Sequence, residues 1–337
     1  MPTRRCKMKF KVIFCGTPDI SAGILTALLA METIEVVAVI SQPDRPVGRK
    51  KELKPTPVKV VATEHNLPVL QPEKIGQAVE EIKAYGAQFL VTCAYGQIIP
   101  ERVLNLFTNC VNVHASLLPK YRGGSPIQYA ILNGEKETGI SLMKMVKAMD
   151  AGEVYVQNKI GIADDDNSGT LFLKMEELGK TMITKYLPDI LAQKIPGTAQ
   201  DETGVTFAYN IVGDGEEIKW SKTAPEIHNF VRALTPKPIP FTTLNGERWK
   251  VGKTRLLRES EVFPMILKTF NCGEVVKMDK EGFWIYTRAG LIKILEIQRP
   301  GKTMVSAGTF YNQNLINIGT TFGNEPPNIF PINDSNK

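Results

Sequence analysis

The stretch KVIFCGTPDISAGILTALLAMETIEVVAVI, residues 11–40, decides the architecture of the first half of the chain. Its opening run, Lys11–Cys15, is apolar and rich in β-branched residues, which predicts a buried strand. The turn GTPD offers capping side chains for a helix over Ile20–Met31, whose apolar residues recur at helical spacing. Ile34–Ile40 predicts a second strand. This strand–helix–strand order is typical of a βαβ unit, in which the two strands run parallel.

The same alternation continues to about residue 150. Strand patterns occur at Gln88–Thr92 and Cys110–His114, and helical patterns at Val58–His65 and Ile75–Tyr85. We therefore expect an α/β fold with a mostly parallel sheet, helices on both faces and ligands at the carboxyl ends of the strands. The turn after the first strand lacks the G-x-G-x-x-G pattern, which argues against binding of NAD or FAD.

The second half of the chain has a different pattern. A long helix is predicted over Ser168–Leu191, and residues 192–213 contain glycine and proline with little periodicity, as a linker would. Short strand-like runs then alternate with turns such as Asn245-Gly246, which is typical of a small β-barrel or sandwich. The predicted boundaries are residues 1–193 for the first domain, 194–212 for the linker and 213–337 for the second domain.

The composition is that of an ordinary globular protein and excludes several classes. The chain has 337 residues, of which 43% are hydrophobic and 23% charged. No apolar run approaches the ~18 residues of a membrane helix, so no membrane partner is expected. Five cysteines without C-x-x-C spacing and three scattered histidines suggest neither a disulfide framework nor a metal site. We expect a protein of the reducing cytoplasm.

The net charge of +6 is modest, but basic residues are concentrated in two segments. Ser41–Val60 holds six basic and two acidic residues, a net charge of +4, and Arg248–Arg258 holds five basic residues and no acid. Two such runs favour a positive surface for a polyanion. Solvated loops or edge strands would explain them equally well.

Three side chains in residues 111–150 could support acyl-type transfer. Asn112 and His114 are two residues apart in a predicted strand, so their side chains share one face near its carboxyl end. An amide can hold a developing oxyanion, and an imidazole can assist proton transfer. Asp150, in a turn, could orient the imidazole. Each residue alone is also an ordinary structural choice, since an aspartate before Ala-Gly is common in turns.

The loop Ser116–Ile127 lies between these residues and is shaped by prolines and glycines. Its Leu117 and Leu118 could wall a flat aromatic ligand while backbone groups remain free for hydrogen bonds. An ordinary strand-to-helix connection would have the same composition.

Taken together, Asn112-Val-His114, Ser116-Leu-Leu-Pro119, Tyr121-Arg-Gly123 and Asp150 resemble the folate-dependent formyltransferases. The motifs QPDRPVGR (residues 42–49) and KPTPVK (residues 54–59) narrow the resemblance to the branch of that family that formylates methionyl-tRNA. The similarity runs from about Met8 to at least Ser306 and includes Trp220-Ser221 in the second domain. Individually these motifs are weak to moderate, and jointly they are specific.

The resemblance implies a Rossmann-like domain that binds 10-formyltetrahydrofolate and an OB-like β-barrel that helps hold the initiator methionyl-tRNA. It also implies that the insertion Ser41–Lys59 touches the acceptor stem. The implied catalytic residues are Asn112, His114 and Asp150; the folate-binding residues are Ser116, Leu117, Leu118 and Pro119; and the tRNA-binding residues are Arg45, Arg49, Lys50 and Lys51.

The expected activity is transfer of the formyl group to the α-amine of methionyl-tRNA by a monomer that needs no metal. Another 10-formyltetrahydrofolate-dependent enzyme, either a sugar-amine formyltransferase or a hydrolase, would share the three catalytic residues and the folate loop. The basic insertion and the β-rich second domain argue against both. A non-catalytic RNA-binding module is an alternative of a different class.

Overall fold

The computed structural model describes residues 9–47, 52–258, 261, 270–313 and 315–323. The chain divides into two compact units. Unit 1 contains residues 1–127, 136–162 and 171–210, and unit 2 contains residues 128–135, 163–170 and 211–337.

A seven-stranded sheet forms the centre of unit 1 in the described part of the chain. Its strands are β1 (Phe10–Gly16), β2 (Ile34–Ile40), β5 (Val69–Leu70), β6 (Phe89–Cys93), β7 (Asn109–His114), β8 (Glu137–Lys144) and β9 (Val154–Gly161), in the order β5-β2-β1-β6-β7-β8-β9. Pairing is parallel from β5 to β7 and antiparallel from β7 to β9. The central strands are nearly continuous apolar runs because helices cover both faces of a parallel sheet.

Six α-helices begin among the described residues that precede residue 192. They are α1 (Asp19–Leu29), α2 (Pro57–Glu64), α3 (Val79–Ala84), α4 (Glu101–Leu104), α5 (Pro126–Leu132) and α6 (Ser168–Leu191). Thr56 caps α2, since its hydroxyl accepts a hydrogen bond from the backbone N–H of Lys59. The helix expected over Ile75–Tyr85 is instead a 3₁₀ turn at Ile75–Gln77 followed by α3, because Ala78 between them leaves the helical region with ψ of 18°.

The basic insertion contains a short hairpin that the sequence pattern did not predict. Strand β3 (Arg45–Val47) pairs antiparallel with β4 (Glu52–Lys54), and Arg45 lies opposite Lys54. Three of the four basic residues that the resemblance implied, Arg49, Lys50 and Lys51, lie outside the described residues. Only Arg45 of that set can therefore be placed.

Unit 2 is a curled antiparallel β-sheet with one longer helix, α7 (Ala224–Leu234). Its strands are β10 (Phe241–Leu244), β11 (Glu247–Leu256), β12 (Val275–Met278), β13 (Phe283–Tyr286), β14 (Leu291–Gln298) and β15 (Val305–Ser306), in the order β10-β11-β14-β13-β12 with β15 beside β14. Asn245 and Gly246 join β10 to β11 with φ of 52° and 77°, as expected for a hairpin turn. Trp220, Trp249 and Phe283 pack in its core.

The predicted fold class is confirmed: a mostly parallel α/β sheet is followed by a small β half-barrel. The predicted domain boundaries stay a prediction, and residues up to 210 of the expected linker count with unit 1. Within the described residues, no helix is long and apolar enough to cross a membrane. The four described cysteines have free thiols.

Candidate active site

The loops that follow β1, β2 and β6 meet at the carboxyl edge of the parallel sheet. The Thr17 hydroxyl donates a hydrogen bond to the carbonyl oxygen of Tyr95 at 2.9 Å, and the Gln42 amide donates to the same oxygen at 3.2 Å. Gly16 permits this close approach, because a Cβ there would lie 2.9 Å from the carbonyl oxygen of Cys93. Unit 1 thus presents a compact set of loops where a ligand of such a sheet is expected.

Asn112 lies near the carboxyl end of β7, and its amide has a fixed orientation. Thr92 of β6 occupies the neighbouring position in the parallel register. The Thr92 hydroxyl donates to Oδ1 of Asn112 at 2.8 Å. Since Oδ1 is the acceptor in this bond, the Nδ2 amino group is left to donate elsewhere.

His114 ends β7 on the same side of the strand as Asn112, as the spacing of two residues predicts. Its side chain is only 6% exposed. Nε2 lies 3.0 Å from the carbonyl oxygen of Tyr121, so Nε2 carries a proton. Nδ1 lies 3.6 Å from Oδ2 of Asp150. The imidazole is therefore anchored at one nitrogen and faces a carboxylate with the other.

Asp150 reaches this place from the turn between β8 and β9. Its backbone is in the left-handed region, with φ of 48°. Oδ2 accepts a hydrogen bond from the backbone N–H of Gly123 at 2.8 Å. The side chain is 18% exposed, three times as much as His114. The structure thus brings the Asp150 carboxylate to the His114 imidazole, with the carboxylate the more exposed of the two, and places Asn112 on the same strand as His114, two residues earlier.

The loop Ser116–Pro119 is held by the antiparallel strands. The buried Ser116 hydroxyl donates to the carbonyl oxygen of Lys120 at 2.6 Å. The amide of Gln157 donates to the carbonyl oxygen of Leu118 at 2.7 Å, and Leu118 itself is 5% exposed. Leu117 and Pro119 are the two members of the predicted folate segment that are partly exposed. A ligand could contact their apolar surface, whereas Ser116 and Leu118 shape the loop from inside.

The basic side chains differ in how freely they could bind phosphate. Arg45 is 62% exposed but forms an ion pair with Glu73 at 2.7 Å. In unit 2, Lys253, Arg255 and Arg258 line a groove of about 760 Å³. Arg255 is also paired, with both oxygens of Glu261 at 2.6 and 2.7 Å.

The two cysteines in the strands that carry the site, Cys93 and Cys110, are buried, and burial makes their thiols unreactive. Burial raises the pKa of Cys93, in β6, and that of Cys110, in β7, to about 12. Both thiols are therefore protonated near neutral pH, and the thiolate is the nucleophilic form. Neither residue is suited to form a covalent intermediate.

Sequence reasoning missed three side chains that support the site: Thr92, Arg122 and Gln200. Thr92 could have been found, because it ends a predicted strand that neighbours the strand of Asn112. Arg122 is 5% exposed, and its guanidinium donates to Gln200 and Glu202. No sequence pattern connects Gln200 with Arg122, which lies 78 positions earlier, or with Asp150, which lies 50 positions earlier.

Two family models match the chain. The formyl transferase model matches residues 8–187, and the model of the formyl transferase C-terminal domain matches residues 210–315. The first alone covers more than half of the chain.

The chain is similar to curated bacterial proteins over nearly its whole length. It is 49% identical to the methionyl-tRNA formyltransferase of Mesoplasma florum over 318 residues, which cover 93% of this chain and 99% of that protein. It is 42% identical to the methionyl-tRNA formyltransferase of Lactococcus lactis subsp. lactis over 322 residues, which cover 94% of this chain and 99% of that protein.

Solved structures share the fold at lower identity. The N-formyltransferase from Helicobacter canadensis, determined with folinic acid and dTDP-3-aminofucose, matches with a TM-score of 0.62 at 20% identity, covering 87% of this chain and 100% of that one. HypX from Aquifex aeolicus, in complex with tetrahydrofolic acid, matches with a TM-score of 0.59 at 14% identity, covering 92% of this chain and 48% of that one.

Proposed function

Since the chain belongs to the methionyl-tRNA formyltransferases of the formyl transferase family, we propose that Asn112, His114 and Asp150 are the residues with which it formylates methionyl-tRNA. Its formyl donor is 10-formyltetrahydrofolate, and its acceptor is the α-amine of methionine esterified to the initiator tRNA. The observation that carries the proposal is the approach of the Asp150 carboxylate to the His114 imidazole at 3.6 Å, at the end of the strand whose same face bears Asn112.

The reaction requires one bond to form and one to break at the formyl carbon. The neutral α-amine attacks this carbon, the bond to N10 of the folate breaks, and a proton lost by the amine is balanced by one gained at N10. The folate supplies the activated formyl group. The protein must stabilise negative charge on the formyl oxygen and manage the proton.

Asn112 is suited to the first task. Thr92 holds Oδ1, so Nδ2 can donate a hydrogen bond to the formyl oxygen as its negative charge develops. Removal of one such donor typically costs about 10²–10³ in rate.

Asp150 and His114 are suited to the second task. Asp150 is the more exposed of the two, which places its carboxylate where the attacking amine can transfer a proton to it. His114 is anchored through its Nε2–H and turns the lone pair of Nδ1 toward that carboxyl group, so Nδ1 can accept a hydrogen bond from Asp150 once the carboxylate has taken the proton. The separation of 3.6 Å is longer than a hydrogen bond, and we expect it to shorten when substrates bind.

The donor fits against the Ser116–Pro119 loop. Leu117 and Pro119 offer apolar surface for a flat pterin ring, and the loop is held in shape from behind by Ser141 and Gln157. The internal hydrogen bonds of Ser116 and Leu118 mean that these two residues preorganise the loop.

The tRNA would be held by the basic insertion that contains the β3–β4 hairpin. Arg45, Arg49, Lys50 and Lys51 are the proposed phosphate contacts, and the Arg248–Arg258 run of unit 2 is a second surface for the same partner. We further propose that the protein acts as a cytoplasmic monomer, which sedimentation of the pure protein with and without tRNA would test.

The activity is tested by offering several acceptors with 10-formyltetrahydrofolate. We expect rapid transfer to methionyl-tRNA and little to free methionine, uncharged tRNA or a nucleotide-linked amino sugar. Release of formate without an acceptor would indicate a hydrolase, efficient formylation of the amino sugar would indicate a sugar-amine enzyme, and tRNA binding without turnover would indicate a binding module.

Substitution tests the proposed site residues. Asn112→Ala should lower kcat by about 10²–10³, and Asp150→Asn by about 10²–10⁴, because each removes a group that acts in the transition state. Matched controls are Asn109→Ala, at the other end of the same strand, and Asp189→Asn, an exposed carboxylate of α6. Near-normal kcat for Asn112→Ala or Asp150→Asn would remove that residue from the mechanism.

A further inference from the structure

The chain segment of residues 198–208, which we call the strap, runs against the loops that carry the proposed site. Thr198 and Val154 exchange two backbone hydrogen bonds of 2.8 and 2.9 Å at the start of β9. Further along, the N–H of Arg122 donates to the carbonyl oxygen of Thr206 at 2.9 Å, and the N–H of Ala208 donates to the carbonyl oxygen of Arg122 at 2.8 Å. The strap is therefore fixed at both ends to unit 1.

Gln200 lies in the middle of the strap and connects two loops. Its Nε2 donates to the carbonyl oxygens of Asp150 at 2.7 Å and of Gly152 at 2.8 Å. Its Oε1 accepts from Nε and from one terminal nitrogen of Arg122, at 3.1 and 2.9 Å. Both ends of this one amide are thus fully used, which locks its orientation.

Arg122 is held from a second side. Glu202 of the strap accepts from its guanidinium at 2.8 Å, although the Glu202 side chain is 71% exposed whereas that of Arg122 is only 6% exposed. The hydrogen bond from Arg122, reinforced by the charge of its guanidinium, lowers the pKa of the Glu202 carboxyl from its usual value. The buried guanidinium therefore keeps its charge balanced, and its position is set by the strap.

The backbone at Asp150 needs such support. A non-glycine residue with positive φ is strained and persists only where its surroundings hold it. Residues 146–149 before it are exposed. The two carbonyls that Gln200 binds belong to the strained residue itself and to Gly152, two residues later. The N–H that holds the Asp150 carboxylate belongs to Gly123, next to Arg122.

Gly123 shows how tightly the strap packs here. Its φ is 122°, and a Cβ at this position would lie 2.7 Å from the carbonyl oxygen of Ala208. The strap, the Arg122–Gly123 peptide and the Asp150 turn are therefore joined by direct contacts.

We infer that Gln200 is a positioning residue for formyl transfer: it holds the backbone of Asp150 and the Arg122–Gly123 peptide so that the carboxylate faces His114. This inference rests on the role proposed above for Asp150. It assigns a function to a segment whose composition alone predicted only a linker.

Gln200→Met tests the inference, because methionine keeps the length of the side chain and removes every hydrogen bond. We expect kcat to fall by about 10- to 100-fold, since a carboxylate displaced by ~1 Å loses that much. The KM values for methionyl-tRNA and for the folate should change by less than about 3-fold, because the Gln200 amide makes its hydrogen bonds to Arg122, Asp150 and Gly152 of the protein. Gln200→Glu should resemble Gln200→Met, since it keeps the acceptor for Arg122 but loses the donors to Asp150 and Gly152.

Glu202→Gln is the matched control. It removes the exposed charge on the other side of Arg122 and leaves every hydrogen bond of Gln200 in place. We expect its kcat to stay within about 3-fold of the parent value. A loss as large as that of Gln200→Met would overturn the assignment to Gln200.

A double-mutant cycle separates positioning of Asp150 from general support of the fold. Combined with Asp150→Asn, Gln200→Met should lower kcat by less than about 2-fold further, because the carboxylate it positions is already gone. Two results would overturn the inference, provided that Asp150→Asn alone stays impaired. One is a kcat of the double variant that falls by the product of the two single losses, and the other is a normal kcat for Gln200→Met alone. Normal turnover of Asp150→Asn would instead overturn the proposed function.

Discussion

At the scale of single residues, the orientation of the Asn112 amide depends on the hydroxyl of Thr92. Thr92 donates to Oδ1 of Asn112 and thereby decides which end of the amide is left to donate. Thr92 is 2% exposed, so water cannot replace its hydroxyl readily. The function proposed for Asn112 therefore depends on a buried neighbour that acts through it.

Thr92→Val is expected to lower kcat by about 10-fold, because loss of a hydrogen bond worth about 1 kcal/mol lets the amide rotate. Valine has the shape of threonine, so the thermal midpoint should change little. Steady-state kinetics with methionyl-tRNA measures the effect. Thr92→Ser keeps the hydroxyl and should recover most of the rate; equal losses in both variants would mean that the methyl group, not the hydroxyl, matters.

At the scale of elements, the β3–β4 hairpin arranges the basic insertion. Antiparallel pairing brings Arg45 opposite Lys54. Arg45 already has a partner in Glu73, and an exposed pair of this kind contributes little energy. Arg49, Lys50 and Lys51 are therefore the better candidates for phosphate contacts that dominate tRNA affinity.

Substituting Arg49, Lys50 and Lys51 together by Gln should weaken tRNA binding and reduce the slope of log affinity against log salt by about 1–2, because fewer counterions are released. Folate-dependent turnover at saturating tRNA should be nearly unchanged. Binding titrations at several salt concentrations provide the slope. The control replaces three exposed lysines of unit 1, Lys11, Lys83 and Lys159, by Gln; an equal change in slope there would mean that only net charge matters.

At the scale of the whole molecule, the tryptophans report on one unit. Trp220, Trp249 and Trp284 are the three tryptophans of the chain, and all lie buried in unit 2. Intrinsic fluorescence therefore follows the unfolding of that unit. His228, on α7 of the same unit, donates to or accepts from the Thr254 hydroxyl at 2.8 Å.

Unit 2 is expected to lose stability between pH 6.5 and 4. Burial, reinforced by the charge of Arg232 and opposed by that of Asp164, lowers the pKa of His228 from 6.5 to about 4. Between these pH values His228 binds a proton in the unfolded chain but stays neutral in the folded chain. Acid therefore lowers the free energy of unfolding by about 1–2 kcal/mol at pH 5. Urea unfolding followed by tryptophan fluorescence at pH 7 and pH 5 measures the difference.

His228→Asn keeps a polar atom near Thr254 and cannot be protonated in this range. Its urea midpoint should therefore change less between pH 7 and pH 5 than that of the parent protein. An equally steep loss in the variant would assign the pH dependence to other groups of unit 2.

Many of the helices and strands were predictable because they are determined by the periodicity of their own residues. Lys11–Cys15, Ile34–Ile40 and Ser168–Leu191 carry periodicities that fix a strand or a helix whatever their neighbours are, and the structure has elements there. Strand β9 (Val154–Gly161) was missed, because its mixed residues become a strand only by pairing with β8. The same holds for the β3–β4 hairpin, whose strands have three residues each.

The sequence by itself determined the parallel α/β plan and the shared face of Asn112 and His114, because strand geometry makes alternate residues point the same way. Only the tertiary structure decided that Asp150 faces His114, that Thr92 orients Asn112 and that Gln200 holds the Asp150 turn. These contacts join segments 20 to 50 residues apart. Sheet order and loop packing, which no local periodicity encodes, bring such segments together.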